Sequence, residues 1–138
     1  MPDSGTGAFE VRVGCDVQSI ADVRDALDAG GRYLRRLLGE GERAEVERLA
    51  TPELVVRYAS GRFAAKEAVY KVLRAAPDTG FPLSQIEIVA DETGAPHVRL
   101  SGTAADLAAS AGIHDIAVSI SHADRFAFAV ATAVAAPA

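Results

Sequence analysis

Residues 115–134 read DIAVSISHADRFAFAVATAV, and they decide the fold. Ile116, Val118 and Ile120 alternate with smaller residues. A turn lies near Ala123-Asp124, and Phe126, Phe128 and Val130 then alternate with alanines. Strand side chains point to opposite faces in turn, so two such runs across a short turn predict a β-hairpin. One face of its second strand is nearly all alanine, flat enough for a helix to lie against. The hairpin is expected near the centre of the sheet.

The helix to lie there is the longest in the chain. Thr51-Pro52-Glu53 supplies an N-cap, a proline in the first turn and an acid at the positive end. The helix is predicted to run to about Arg74, with Ser60-Gly61 as its weak point. Leu54, Val55, Tyr58, Ala65, Val69, Val72 and Leu73 form its apolar stripe at helical spacing. Phe9 to Val17 alternates as a half-buried strand, with Phe9, Val11, Val13 and Cys15 on one face and Glu10, Arg12, Gly14 and Asp16 on the other. Ser19 and Asp22 read as a capping box opening a helix that Gly30-Gly31 stops. Helical segments follow at RYLRRLL and at Glu42–Ala50. Gln85–Ala90, a turn at Asp91–Gly94 and a return at His97–Leu100 form an earlier hairpin. Thr103 and Asp106 read as a second capping box, with Gly112 as the stop. Connections this short predict an α+β fold, an antiparallel β-sheet packed against a long helix. One domain is expected over 9–134, with 1–8 as a flexible leader and 135–138 as a tail.

A chain of 138 residues suits one domain with a real core. Its net charge of -5 argues against general nucleic-acid binding. No apolar run approaches the roughly 20 residues that span a bilayer, and the start lacks the regions of a signal peptide. The single cysteine, Cys15, permits no internal disulfide and reads as a buried, inert thiol. These features predict a cytoplasmic protein.

The stretch Arg62–Lys71, RFAAKEAVYK, holds both lysines; the other basic residues are all arginine. Glu67, Lys71 and Arg74 fall within an arc of roughly 60° on the helix. An i,i+4 ion pair worth a few tenths of a kcal/mol explains Glu67 and Lys71 structurally. Retention of lysine in an arginine-rich chain favours a compact charge aimed at one phosphate oxygen. Asp16, at a strand end, reads either as a turn aspartate or as a ligand of a hard cation. Magnesium takes one or two carboxylates with water and phosphate oxygens, and Asp16 with Glu67 would supply that pair. Ser119, Ser121 and His122 either tie down the final hairpin or donate to phosphates. A serine hydrolase lacks support, since no G-x-S-x-G elbow is present. His97 and His114 have no such context.

Taken together, these stretches resemble the short, holo-acyl-carrier-protein synthase type of 4'-phosphopantetheinyl transferase. GCDV (14–17), RFAAKEAVYK (62–71) and SISH (119–122) are similar to its three motifs in order. QIEIVADETGAPHVRLSG is similar to the hairpin between the second and third. The resemblance covers residues 9 to 134. It implies transfer of phosphopantetheine from coenzyme A to a serine of an apo acyl carrier protein, with release of adenosine 3',5'-bisphosphate. By the same resemblance Asp16 and Glu67 bind Mg²⁺, and Asp16, Glu67 and Lys71 are catalytic, with Glu67 as base. Arg62, Lys66, Lys71, Ser121 and His122 contact coenzyme A, and a homotrimer builds each site between neighbouring subunits.

The chain departs from the family at three places. Gln18 stands where long members often carry a second acid. LRAAPDTGFP replaces the usual Gly-Thr-Gly loop, where Arg74 is a candidate substitute for the lost phosphate contacts. The first helix carries Asp22, Asp25 and Asp28 beside Arg24, and positive charge moves to Arg32, Arg35 and Arg36. The carrier surface is therefore expected at Arg24, Arg32, Arg35 and Arg36, with a preference shifted toward a polyketide or other specialised carrier; a solvated basic helix face explains the last three equally well. Alternative readings are a non-catalytic coenzyme A-binding trimeric subunit, a Mg-dependent nucleotide diphosphate hydrolase and a plain interaction domain.

Overall fold

The computed structural model describes residues 8–137. Residues 1–7 of the expected leader and residue 138 of the tail lie outside the described residues. Strand β1 (Glu10–Ser19) leads to α1 (Ile20–Asp28), α2 (Arg32–Leu37), α3 (Glu40–Glu47) and the long α4 (Pro52–Leu73). The β2 (Ile86–Ala90) and β3 (Pro96–Leu100) hairpin follows, then α5 (Gly102–Ser110) and the β4 (Ile116–Ala123) and β5 (Phe126–Ala135) hairpin. All strand pairs are antiparallel, in one sheet of order β1-β5-β4 and one of order β2-β3. The α+β expectation is met, and β5 is the central strand of its sheet.

Local chemistry accounts for the boundaries. Ser19 Oγ accepts from Asp22 N at 3.3 Å, and Thr51 Oγ1 accepts from Leu54 N at 3.2 Å. The helix α4 passes through Ser60-Gly61 unbroken, with Ser60 Oγ donating to Val56 O at 2.7 Å. The expected Thr103 cap is corrected: α5 starts two residues earlier than that cap implies, at Gly102, with Ser101 in the N-cap position and no side-chain cap bond.

Helix α4 lies on the alanine face of β5, as expected, where Ala127, Ala129, Ala131, Ala133 and Ala135 are buried. The correction falls on β1, where Cys15, expected to be a buried thiol, is exposed with the rest of its strand face. The Phe9/Val11/Val13 face of β1 and the Phe126/Phe128/Val130 face of β5 point the other way and are exposed, Val11 at 72% and Phe128 at 40%. Alternation alone says that two faces differ; it does not say which one a helix covers. Here α4 approaches β1 and β5 most closely over Gly14 and the alanines of β5, while Ile116, Val118 and Ile120 of β4 fill the core beside it. The expected helix stripe holds in its second half, where Ala65, Val69, Val72 and Leu73 are buried, and fails in its first, where Leu54 is exposed, Val55 and Tyr58 are half-buried, and Val56 and Ala59 are buried instead. Among the described residues, no helix is long and apolar enough to cross a membrane.

Candidate functional site

Gly14 sets the approach of α4 to β1. A Cβ there would run into the carbonyl oxygen of Ala68 and meet Lys71 Cβ at 3.0 Å. Asp16 follows two residues on, and so shares Gly14's face. That brings one carboxylate from β1 to a carboxylate and an ammonium from α4. Lys71 Nζ lies 3.6 Å from Asp16 Oδ1 and donates to Cys15 O at 2.7 Å. Gln18 Nε2 donates to Asp16 Oδ2 at 2.6 Å, so the residue standing where an acid was looked for instead steadies the first one. The Glu67 carboxyl is pushed above the usual glutamate range by partial burial first and by the negative charge of Asp16 second, against the opposing pull of Lys71.

This donor set fits magnesium. It offers two hard-oxygen carboxylates close enough to repel each other, as a divalent cation between them would relieve. No larger cluster of His, Cys, Asp or Glu comes together among the described residues, which is the wrong composition for a zinc site.

The hairpin residues form a second group. His122 Nε2 lies 3.0 Å from Arg57 O. A carbonyl oxygen only accepts, so Nε2 is the donor, and Nδ1 has no hydrogen-bond partner among the described residues. Gly61 makes room for this ring: a Cβ there would sit 2.9 Å from His122 Nε2. Arg62, Gly94, Pro96, Val118, Ser119, Ile120 and His122 line a cavity of about 260 Å³. Ser121 is exposed on the opposite sheet face, in register with Phe128, which pairs with Val17. At 100° per residue, Arg62 lies roughly 140–180° around α4 from Glu67 and Lys71. One chain therefore brings Asp16, Glu67 and Lys71 together and sets Arg62 and His122 on the other flank of the helix.

Lys66 requires a correction. It is fully buried, as is its partner Glu42. Its ammonium donates to Glu42 Oε1 at 2.5 Å, to Leu83 O at 3.2 Å and to Ile86 O. An ammonium has three donors, and all three are taken, so none is left for a phosphate. Burial raises the Glu42 carboxyl and lowers the Lys66 ammonium, each opposed by the attraction of its partner. Glu42 also accepts from Gly39 N at 2.9 Å and Ile88 N at 3.1 Å, tying α3 to β2.

Of the arginines expected at a carrier surface, Arg24 is engaged by both carboxylate oxygens of Glu53, at 2.6 and 2.7 Å. Arg32, Arg35 and Arg36 are exposed. Arg32 and Arg36 rim a cavity of about 680 Å³ whose apolar wall includes Tyr33, Leu37, Phe63 and Leu83. Phe63 is one helical turn before Glu67 on α4. In the 74–82 loop, Phe81 is buried against Tyr70 with ring centroids 4.7 Å apart, while Arg74 donates to Glu10 at 2.9 Å. Sequence reasoning missed Glu42, Tyr33 and Phe63. The Gly39-x-x-Glu42 spacing was the available signal for the first; the aromatics carried none.

The sequence profile of the 4'-phosphopantetheinyl transferase superfamily matches residues 12–131, and the chain belongs to that superfamily. A holo-acyl-carrier-protein synthase of Thermoanaerobacter sp. (strain X514) is 37% identical over 126 residues, covering 91% of this chain and 88% of the relative. The structure of Plasmodium yoelii acyl carrier protein synthase with ADP bound superposes with a TM-score of 0.84 at 30% identity, covering 95% of this chain and 100% of that one. An ACPS–CoA complex from Chronobacterium ammoniagenes superposes at 0.77 with 27% identity, covering 94% and 99%. Within the superfamily, the chain is a transferase of the holo-acyl-carrier-protein synthase type.

Proposed function

We propose that this protein moves the 4'-phosphopantetheine arm of coenzyme A onto a serine of an apo acyl carrier protein, in a Mg²⁺-dependent reaction in the cytoplasm that releases adenosine 3',5'-bisphosphate. The observation that carries this reading is the convergence of Asp16, Glu67 and Lys71 from two elements held together at Gly14. Asp16 and Glu67 would hold the cation, which when bound supplies charge neutralisation for the diphosphate. Lys71 aims a compact positive charge at a phosphate oxygen. Glu67, its proton affinity raised, takes the serine proton as the Oγ–P bond forms and the bridging P–O bond breaks. Phosphoryl transfer needs mainly positioning and charge neutralisation, which these groups provide.

The assembly that suits this chemistry is a homotrimer with each site between two copies. Two features support it. The apolar face of β1 and β5 is a contiguous exposed surface of valine and phenylalanine, of the kind that marks an interface. Arg62 and His122 stand on the flank of α4 away from Glu67, where they would complete a neighbour's site. Ser121, on the outward face, would reach coenzyme A only across such a boundary. The carrier docks on Arg32, Arg35 and Arg36, with an apolar side chain entering the Tyr33–Phe63 cavity. Arg24 is already paired and α1 is acidic, which supports a preference for a specialised-pathway carrier over the fatty-acid one.

Intact-protein mass spectrometry of a panel of apo carriers, incubated with the protein, coenzyme A and Mg²⁺, tests the reaction. A gain of one phosphopantetheine, lost with EDTA, is expected. Coenzyme A binding without turnover would favour the non-catalytic subunit, and nucleotide release without a carrier would favour the hydrolase. Sedimentation analysis checks the trimer.

A further inference from the structure

Behind the cavity on the Arg62 flank stands a brace between three elements. Glu45, near the end of α3, uses both carboxylate oxygens. Its Oε2 accepts from Tyr58 Oη at 2.8 Å and from Arg62 Nη2 at 3.2 Å, and its Oε1 accepts from the backbone N–H of Ala90 at 2.9 Å. Arg62 also donates from Nε to Ile88 O at 2.9 Å, and its Cζ lies 4.3 Å from the centre of the Tyr58 ring. A guanidinium is planar and rigid, so these fixed points leave it one orientation. No hydrogen bond engages Nη1 among the described residues, and Arg62 lines the cavity with Ser119 and His122. The same carboxylate holds the last residue of β2. Ala90 pairs with Pro96, and Pro96 and Gly94 form another wall of that cavity. One side chain thus sets both the cation and the hairpin tip that enclose a single space.

We infer that Glu45 is a positioning residue for the phosphate-binding half of the site, fixing Arg62 and the β2–β3 tip in the geometry that receives a phosphate of the coenzyme A nucleotide. The inference rests on the coenzyme A reading above. A carboxylate beside the guanidinium weakens its field at an incoming anion. What it supplies in return is order: an unbraced arginine must give up rotamer freedom when it binds, whereas this one has already done so.

The test uses the assembled protein and compares wild type, Glu45→Ala, Arg62→Ala and the double variant, with adenosine 3',5'-bisphosphate as the calorimetric probe. Glu45→Ala is expected to raise KM for coenzyme A and weaken probe binding about tenfold, with kcat kept within about twofold; tenfold is the size of one charge-assisted hydrogen bond. In the Arg62→Ala background the Glu45 substitution should then cost well under its full tenfold, what remains being its hold on the β2–β3 tip. Penalties that multiply, or a fall in kcat at unchanged KM, overturn the inference. Should Glu45→Ala fail to fold, Tyr58→Phe keeps the ring under Arg62 and removes only the hydroxyl bond to Glu45. Its KM should rise two- to threefold by the same logic, and an unchanged value overturns the inference. Wild-type protein that neither binds coenzyme A nor modifies a carrier overturns the underlying reading instead, a result distinct from a silent Glu45 variant in a working enzyme.

Discussion

Two lysine–carboxylate pairs sit on the same helix, five residues apart, in opposite surroundings. Lys66 and Glu42 are both 0% exposed and 2.5 Å apart. Lys71 is 53% exposed and lies 3.6 Å from Asp16. The first pair is closed, with every ammonium donor taken inside the fold. The second is loose and wet, with donors to spare. The difference teaches what retained lysine means in an arginine-rich chain. At one position a slender stem and compact head thread the core, where a guanidinium fork would not fit the three acceptors. At the other, the same head stays available for an oxygen that comes from outside.

The sharpest way to break the comparison is to unpair the buried set. Lys66→Met leaves Glu42 charged or protonated without its partner, and urea unfolding should record a loss of about 3–5 kcal/mol. Adding Glu42→Gln to Lys66→Met should recover part of that loss, since the amide oxygen still accepts from one backbone N–H. Next comes the open pair. Lys71→Ala should lower kcat/KM on the order of 10²-fold, the usual size for one lost electrostatic contact to a reacting group, with the urea midpoint unchanged. Lys71→Arg should fall between alanine and wild type; full activity would remove the argument from lysine geometry. Gly14→Ala touches both quantities. It should lose about 1–3 kcal/mol by overpacking against Ala68, and also impair transfer by spreading Asp16 from Glu67.

The smallest effect has the least intuitive sign. Folding raises the proton affinity of Glu67, so the folded state holds that proton more tightly than the unfolded one. Stability therefore falls as pH rises from the ordinary glutamate range through the raised value. Glu67→Gln cannot ionise and should melt slightly higher than wild type at neutral pH without metal. The gap should close in acid, below the ordinary glutamate range, where both are neutral. A variant that melts lower at neutral pH would contradict the repulsion assigned to Asp16.

The elements were legible in the sequence because their signals are local. Thr51-Pro52-Glu53 and Ser19-x-x-Asp22 cap helices wherever they stand, and the alternation in 116–134 needs no partner to be seen. The convergence of Asp16 on Glu67 became an expectation only through the resemblance, since no local pattern links β1 to the middle of α4. Lys66 defeated the reading because helical position alone leaves it beside charged neighbours. Its burial depends on Glu42, on the preceding helix, and on carbonyls from Leu83 and Ile86. The alanine face of β5 was legible because its flatness marks where a helix can lie, whereas Cys15, expected to be buried, stands on the exposed face of β1 because α4 covers the Gly14 side.

The closeness of α4 to the alanines of β5 has a mechanical consequence. Alanine has no rotamers, so the β5 side of its contact with α4 contains nothing that can swivel to absorb a displacement. The helix rides on its sheet as a bar on a rail. Glu67 and Lys71 project from one side of that bar and Arg62 from the other. A sub-ångström slide along the rail would therefore reach both sides at once, undamped, and a strain applied at either group of side chains is delivered to the other.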